Sequence, residues 1–300
     1  MVDRLFRIFG EPTKPESYRQ DQFDEADEAL RRTANKAWHE IDQTDYWHYL
    51  MDLCYVELDQ DLFDYLFPAF LIRWWEGMLN RTGGPESECD IYRAIDHGQV
   101  MTKMMDADRR SEVLSWMVDA YMEGVDAWGG QLSVAYSSNG PNDLHGPLWY
   151  FHALGQSVPI IDSILGRLAD VCTEGRAQWW LVFASGLIWN EDEAPMIPPW
   201  TPDGGGGGVY ILESAASIYN HGYLGEHHAA IKDRLTYEFV HSRLCLAGQI
   251  LQSTPQKEWS QLAVEEMRKS PEYIELRIVR FMELLSEPDL GGVLNNPLDT

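Results

Sequence analysis

Residues 37–72 read AWHEIDQTDYWHYLMDLCYVELDQDLFDYLFPAFLI and contain no lysine or arginine, although Lys36 and Arg73 stand directly on either side. Large apolar and aromatic side chains are interleaved with carboxylates throughout this window. Such apolar groups bury against neighbouring helices while the carboxylates stay in water. The window therefore predicts helices at 44–56 and from Asp59 to Phe67, together with a firmly packed surface of negative potential.

The helical pattern continues beyond this window up to a pair of glycines. Pro68 either kinks the third helix or begins a new one at its first turn, because proline lacks the N–H that an interior position needs. Residues 68–79 are apolar nearly all round, so we expect them to be buried. Gly83, Gly84 and Pro85 end the pattern.

The rest of the chain shows the same periodicity. Pro12 and Pro15 predict an extended lead-in at 1–16. No long alternation of apolar and polar residues competes, so the predicted fold class is mainly α, with a bundle-like architecture of many helices. The further predicted helices are 17–41, 113–128, 157–172, 177–189, 210–220, 227–252, 256–269 and 271–286.

Two segments rich in small and helix-breaking residues divide this pattern. Residues 131–147, QLSVAYSSNGPNDLHGP, mark a boundary between an N-terminal acidic helical domain at 1–130 and a C-terminal helical domain at 131–300. Residues 190–208, rich in Pro and Gly, predict a long exposed loop inside the second domain. Whether the two halves pack as one domain is left open by the sequence.

The net negative charge of the chain indicates which classes of partner it can bind. The 300 residues hold 48 acidic and 23 basic side chains, for a formal net charge of −25 spread over both halves. A field of this sign repels phosphate, so we expect no direct binding of nucleic acid or of anionic membranes, and we expect a basic protein as partner. The longest apolar run, 179–189, is shorter than the roughly 18 residues that span a bilayer and predicts a core helix.

Other features of the sequence bear on location and redox state. The first residues lack the apolar run of a secretory signal, which predicts a cytoplasmic protein. The four cysteines are far apart and without CxxC pairs, which predicts reduced core thiols.

The sequence contains no motif of known chemistry. Two features, a run of glycines and the histidines, only weakly suggest a phosphate-binding loop or a metal site. The five glycines at 204–208 lack the following Lys-Ser or Lys-Thr of a phosphate loop, so we read them as a flexible loop. The histidines show no HExxH or comparable spacing, so we expect no metal and no cofactor. The alternative left open is a hydrolase or transferase, with a site between the two halves, that uses His145, His152 or His227 and a nearby carboxylate as general base.

Part of the N-terminal half resembles a known family. Phe9-Gly10, the segment Trp38-His39-Glu40-Ile41 and the block from Phe63 to Phe70, FDYLFPAF, are similar to an uncharacterised family of small bacterial helical proteins, over about residues 5–80. The resemblance implies a bacterial, helical, soluble protein and supplies no catalytic residue. The composition also resembles that of immunity proteins, which are often strongly acidic and neutralise toxins, often basic nucleases, used between competing bacteria.

The prediction of function is therefore a non-enzymatic acidic protein that binds and neutralises a basic protein partner, as immunity proteins do. Complementary charge would accelerate the encounter, and exposed aromatic side chains would set the residence time. Trp47 and Tyr55 are the predicted anchors. The predicted charge contributors are Asp45, Asp52, Asp59, Asp61 and Asp64.

Overall fold

The computed structural model describes residues 1–16, 28, 31–33, 35–42, 45, 49, 59–80, 100–127, 158–188 and 233–286. These residues are 82% helical, with no strand among them, and their helices pack against each other, which confirms the mainly α, bundle-like fold. The chain divides into two compact units, Met1–Gly124 and Val125–Thr300, and each is described by itself. The predicted boundary at 130–131 falls outside the described residues and stays a prediction.

The first unit contains four described α-helices and a short 3-10 helix. Their bounds are α1 at Val2–Phe9, the 3-10 helix at Trp38–Glu40, α2 at Gln60–Asn80, α3 at Val100–Lys103 and α4 at Ala107–Ala127, whose residues from Val125 onward belong to the second unit.

Helix α1 corrects the expectation of an extended lead-in over the whole of residues 1–16. Leu5 is fully buried, and an amphipathic first turn outweighs the two later prolines. The helix ends where Gly10 takes a φ of 84°, a left-handed conformation that glycine adopts without strain. Its N–H then donates to the carbonyl oxygen of Phe6 at 2.9 Å. Residues 11–16, beyond this point, are neither helix nor strand.

Helix α2 contains most of the buried residues of the first unit. Asp59 caps it, because its Oδ1 accepts a hydrogen bond from the Leu62 N–H at 2.8 Å. Pro68 lies inside the helix, so no new helix begins there. Every side chain from Leu62 to Ile72 that is apolar is buried, which agrees with the predicted burial of the segment after Pro68.

Aromatic rings join α1, α2 and α4 into one core. Phe9 lies 6.4 Å from Phe63 and 6.2 Å from Phe67, measured between ring centroids. Trp74 of α2 lies 6.4 Å from Trp116 of α4, whose Nε1–H donates to the carbonyl oxygen of Met1 at 3.0 Å. Aromatic pairs of this kind contribute about 0.5–1.5 kcal/mol each beyond the area that they bury.

The second unit has five described helices beyond the end of α4. These are α5 at Val158–Ala169, α6 at Glu174–Ile188, α7 at Tyr237–Ile250, α8 at Thr254–Lys269 and α9 at Pro271–Ser286.

Helix α6 is the centre of the second unit, since α7, α8 and α9 all pack against it. This confirms a core helix over the described part of the apolar run, residues 179–188. Trp180 is fully buried, with its Nε1–H donating to the Leu168 carbonyl oxygen at 2.7 Å. Its ring meets Phe239 edge-on at 5.6 Å.

Helix α7 begins at Tyr237, after a break at 235–236 that the pattern at 227–252 does not predict, since the described residues 233–234 are also helical. Thr236 is extended, with ψ of 165°, and its side chain accepts a hydrogen bond from the Phe239 N–H at 3.2 Å. A threonine that caps a helix in this way sets its first residue. The turn at Leu251–Ser253 then joins α7 to α8 as a hairpin, and Gly248 allows a close approach, since an added Cβ would lie 2.7 Å from Ser260 Oγ.

The start of α6 lies against the end of α4 within the second unit. Arg176 donates two hydrogen bonds to Asp126, from Nε and Nη2, both at 2.8 Å, and Thr173 donates a third at 2.7 Å. This bidentate pair raises the pKa of Arg176. None of the described helices is long and apolar enough to cross a membrane.

Candidate functional site

Asp45, the first predicted charge contributor, is engaged within the protein. Its carboxylate accepts a hydrogen bond from Lys36 Nζ at 2.5 Å and another from the Asp42 backbone N–H at 2.9 Å. The first of these raises the pKa of Lys36. The Asp45 side chain is only 10% exposed. Lys36 stands one residue outside the cation-free window, so a neighbour in sequence neutralises this acid.

Asp64 is neutralised by a cation from a distant part of the chain. Arg109 of α4 donates from Nη2 to Asp64 Oδ1 at 2.7 Å, and Gln60 Nε2 donates to the same oxygen at 3.0 Å. The guanidinium of Arg109 also lies 4.3 Å above the ring of Phe9. Asp64 therefore holds α2 to α4, and it offers little free charge to a partner.

Asp59 and Asp61 remain on the surface at the start of α2. Asp59 is exposed, although one of its oxygens accepts the capping hydrogen bond from Leu62. Asp61 is exposed and has no ion pair with any residue that the structure describes. Of the predicted contributors that can be located, Asp61 is thus the one whose charge is wholly available.

Tyr49 shows that the window contributes to the core as well as to the surface. Its side chain is 1% exposed. Burial raises the pKa of its phenol well above 10.0, with smaller contributions in the same direction from the charges of Asp64 and Asp59. Tyr49 is thus buried close to the capped start of α2.

Several predicted site residues lie outside the described part of the chain. The anchors Trp47 and Tyr55 and the contributor Asp52 are among them, and so their roles stay predictions. The same holds for the histidines of the enzyme alternative and for the glycine run at 204–208. These histidines are His145, His152 and His227.

The structure adds two carboxylates that the sequence did not suggest. Asp106 and Asp108 are exposed at the start of α4, where Asp106 Oδ1 accepts a hydrogen bond from the Arg109 N–H at 2.8 Å. Gln60 Nε2 donates to the Met104 carbonyl oxygen at 3.3 Å, which brings the starts of α2 and α4 together. An aspartate directly before a helix is a known capping signal, but the predicted helix at 113–128 begins six residues after the start of α4.

The four exposed carboxylates at these two helix starts belong to Asp59, Asp61, Asp106 and Asp108, and we call them the acidic edge. All four lie just before or within the first turn of a helix, where they interact favourably with the partial positive charge of its N-terminus. Asp59 and Asp106 also accept a backbone hydrogen bond, so Asp61 and Asp108 have the more accessible carboxylates. Two cations, exposed Lys103 and half-buried Arg110, are close to Asp106 and Asp108 in sequence. They reduce the negative potential of the acidic edge, although within the described part of the chain neither forms an ion pair with its four carboxylates.

The second unit brings a histidine and a cysteine together, but not in the geometry of a nucleophile and its base. Cys245 Sγ lies 4.0 Å from His241 Nδ1 and 3.9 Å from His241 Nε2. Nearly equal distances to the two nitrogens mean that the sulfur does not lie along the lone-pair direction of either one. Within the described ranges no group of three or more His, Cys, Asp or Glu side chains could hold a metal ion.

Both cysteines that the structure describes are free thiols, as predicted, but neither is in the core. Cys172 is exposed, and Cys245 is partly exposed. The wide spacing of the cysteines along the chain bears on disulfide and metal pairing, and it does not determine whether a thiol is buried.

Comparison of the chain with protein-family models, with curated proteins and with solved structures finds no match. The resemblance of residues 5–80 to a family of small bacterial helical proteins therefore stays a prediction, and so does the likeness in composition to immunity proteins.

Proposed function

We propose that this chain is a bacterial, cytoplasmic, non-enzymatic protein that binds and neutralises a basic protein partner, as an immunity protein does. The acidic edge carries the proposal. It joins exposed carboxylates from two helices, and two of its members, Asp61 and Asp108, have no ion pair among the described residues.

The scaffold beneath the edge supports a binding role because it is rigid. Arg109 ties the start of α4 to α2 through Asp64 and rests on Phe9, which itself packs on α2. Carboxylates on helix ends that are already fixed lose little conformational freedom on binding. Such a surface can meet a cationic partner without first reorganising.

The charge of the whole chain would act on the rate of encounter. A net charge of −25 creates a field that attracts a basic protein from a distance and accelerates association. At physiological ionic strength this attraction is screened over about 8 Å. The association rate should therefore fall as salt is added, while the dissociation rate should depend mainly on buried contacts.

The ion pairs change which substitutions test the proposal. Replacing Asp45 by asparagine would leave Lys36 with only its more exposed pairing to Asp42 at 3.2 Å, and replacing Asp64 would leave Arg109 without its ion-pair partner, so either change would alter the fold along with the surface. Asp61 and Asp108 have no such role. The double variant Asp61→Asn/Asp108→Asn removes two exposed charges and preserves both capping aspartates.

The matched control is Glu258→Gln/Glu272→Gln, which removes two exposed charges from the second unit. The binding probe is the purified product of the gene next to this one, with association and dissociation rates measured at several salt concentrations. We expect the edge variant to slow association by about an order of magnitude at low salt and to flatten its salt dependence. The control should lose far less.

A growth assay tests neutralisation directly. The neighbouring product is expressed in a bacterial host with and without this chain, and we expect growth to be restored only when the chain is present. Absence of binding, or equal slowing by both double variants, would contradict the acidic edge as the docking surface. Binding without restored growth would contradict the role in neutralisation.

A further inference from the structure

A cluster of four side chains lies at the open end of the hairpin formed by α7 and α8. Arg268, in the last turn of α8, donates from Nε to His241 Nε2 at 3.2 Å, across from the second turn of α7. Tyr237 stacks on the imidazole with ring centroids 5.5 Å apart and planes 19° apart, and Cys245 Sγ lies about one turn further along the helix. His241 is thus held on its own helix and bonded to the next one.

The hydrogen bond fixes the protonation state of the ring. A guanidinium has donors only, so Nε2 of His241 must present its lone pair. The proton of the neutral imidazole then resides on Nδ1. Adding a second proton would replace the acceptor by a donor and would place two cations face to face. The contact between α7 and α8 would change from attractive to repulsive.

We propose that His241 and Arg268 form a proton-sensitive latch, which closes the open end of the α7–α8 hairpin at neutral pH and releases it on acidification. The latch is independent of the acidic edge and of partner binding. It makes the second unit respond to pH through one contact between two helices.

The charged groups around His241 do not stabilise its protonated form. On α8, Glu266 pairs with Lys269 at 2.6 Å, and Arg268 is the charged group that reaches the imidazole. On α7, Glu238 is exposed, and burial raises the pKa of the Tyr237 phenol, which is therefore neutral at pH 7. No carboxylate among the described residues forms an ion pair with His241 that could stabilise an imidazolium.

The other helices packed on α7 do not alter this balance. Between Arg176 and its last residue, Ile188, α6 has no charged residue, and the described charged side chains of α9, Glu272, Glu275 and Arg277, form no ion pair with His241. Burial lowers the pKa of His241 below 6.5, and the charge of Arg268 lowers it further. The ring is therefore neutral at pH 7, and the protein must be acidified below pH 6.5 to charge it.

The test uses the full-length chain and two variants. In His241→Gln, the amide oxygen can accept from Arg268 at every pH and cannot be protonated in this range. In Arg268→Gln, the cation is lost while the histidine remains. The measurements are an NMR titration of the His241 ring and hydrogen exchange of the amides at 264–269, at pH 7.5 and pH 5.5, corrected for the intrinsic pH dependence of exchange.

We expect the His241 ring of the unmodified chain to titrate with a midpoint below 6.5, and the midpoint to rise in Arg268→Gln. Exchange of the last turn of α8 should accelerate several-fold at pH 5.5 in the unmodified chain and stay constant in His241→Gln. A midpoint at or above 6.5, or the same acceleration in both chains, would overturn the latch. If His241→Gln does not fold, the shift of midpoint between the unmodified chain and Arg268→Gln decides.

Discussion

Replacing Gly175 by alanine is expected to destabilise the second unit, because there is no room for a methyl group at this position. Gly175 lies in the first turn of α6, against the end of α4. A Cβ built on its backbone would lie 1.8 Å from the carbonyl oxygen of Val125 and 2.8 Å from the carbonyl carbon. Both atoms belong to the backbone, so they are unable to move aside as the end of a flexible side chain would.

The cost follows from the size of this overlap. The two backbone segments would have to separate by roughly 1.5 Å to reach ordinary van der Waals contact. Overpacking typically costs about 1–3 kcal/mol, and the intrinsic preference of helices for alanine returns up to about 1 kcal/mol. The separation would also strain the hydrogen bonds between Arg176 and Asp126 next to it. We therefore expect a net loss of about 2 kcal/mol.

Gly166 provides a matched control with the opposite sign. It lies in α5, it is exposed, and an added Cβ would meet only Arg234 Nη1 at 3.8 Å, an ordinary contact. Gly166→Ala should therefore stabilise the protein by about 0.5–1 kcal/mol through the lower conformational entropy of the unfolded chain.

The assay is thermal and denaturant unfolding of both variants and of the unmodified chain. Unfolding is followed by far-ultraviolet circular dichroism, which reports the helical content. We expect the Tm of Gly175→Ala to fall by about 5 °C and that of Gly166→Ala to rise by a few degrees. If both substitutions raise the Tm, the start of α6 does not lie against the end of α4, and the packing described here for the second unit is wrong.

Three further predictions concern single contacts in the second unit. Arg176→Met should cost about 1–3 kcal/mol in denaturant unfolding, since it leaves the partly buried Asp126 without its bidentate partner, and no loss would mean that the pair contributes nothing. Trp180→Phe should cost about 2–3 kcal/mol, because it leaves a cavity and the unpaired carbonyl oxygen of Leu168, and a loss below about 0.5 kcal/mol would contradict the burial of this ring. For His241, a pKa lowered in the folded state means that the unfolded chain binds the proton more readily below pH 6.5. The contribution of His241 to the free energy of unfolding should therefore be complete above pH 6.5 and should be lost as the pH falls below 6.5. The free energy of unfolding should then decrease more on acidification in the unmodified chain than in His241→Gln, and parallel pH profiles would refute this.

The helices were predictable from the sequence where the apolar period is strong and uninterrupted. Helix α9 begins and ends where the pattern at 271–286 places it, because Pro271 favours a first turn and Ile274 and Ile278 recur on one face. Helix starts that depend on a single hydrogen bond were less predictable. The capping role of Thr236 begins α7 well inside an apparently continuous pattern.

The candidate site was only partly predictable, because a window of sequence does not include the cations that fold back onto it. The stretch without lysine or arginine suggested that all of its aspartates would be free. Arg109, 45 residues from Asp64 along the chain, neutralises that carboxylate, and Lys36 does the same for Asp45. Asp106 and Asp108 join the edge for the same reason, since only the folded chain brings the starts of α2 and α4 together.

The measurement that tests the proposed function most directly is the salt dependence of the association rate between this chain and the purified product of the neighbouring gene. The unmodified chain, Asp61→Asn/Asp108→Asn and Glu258→Gln/Glu272→Gln are compared under the same conditions. We predict a steep fall of the rate with added salt for the unmodified chain and the control, and a slower, flatter profile for the edge variant. Three superimposable profiles would contradict the assignment of the acidic edge as the surface that meets the partner.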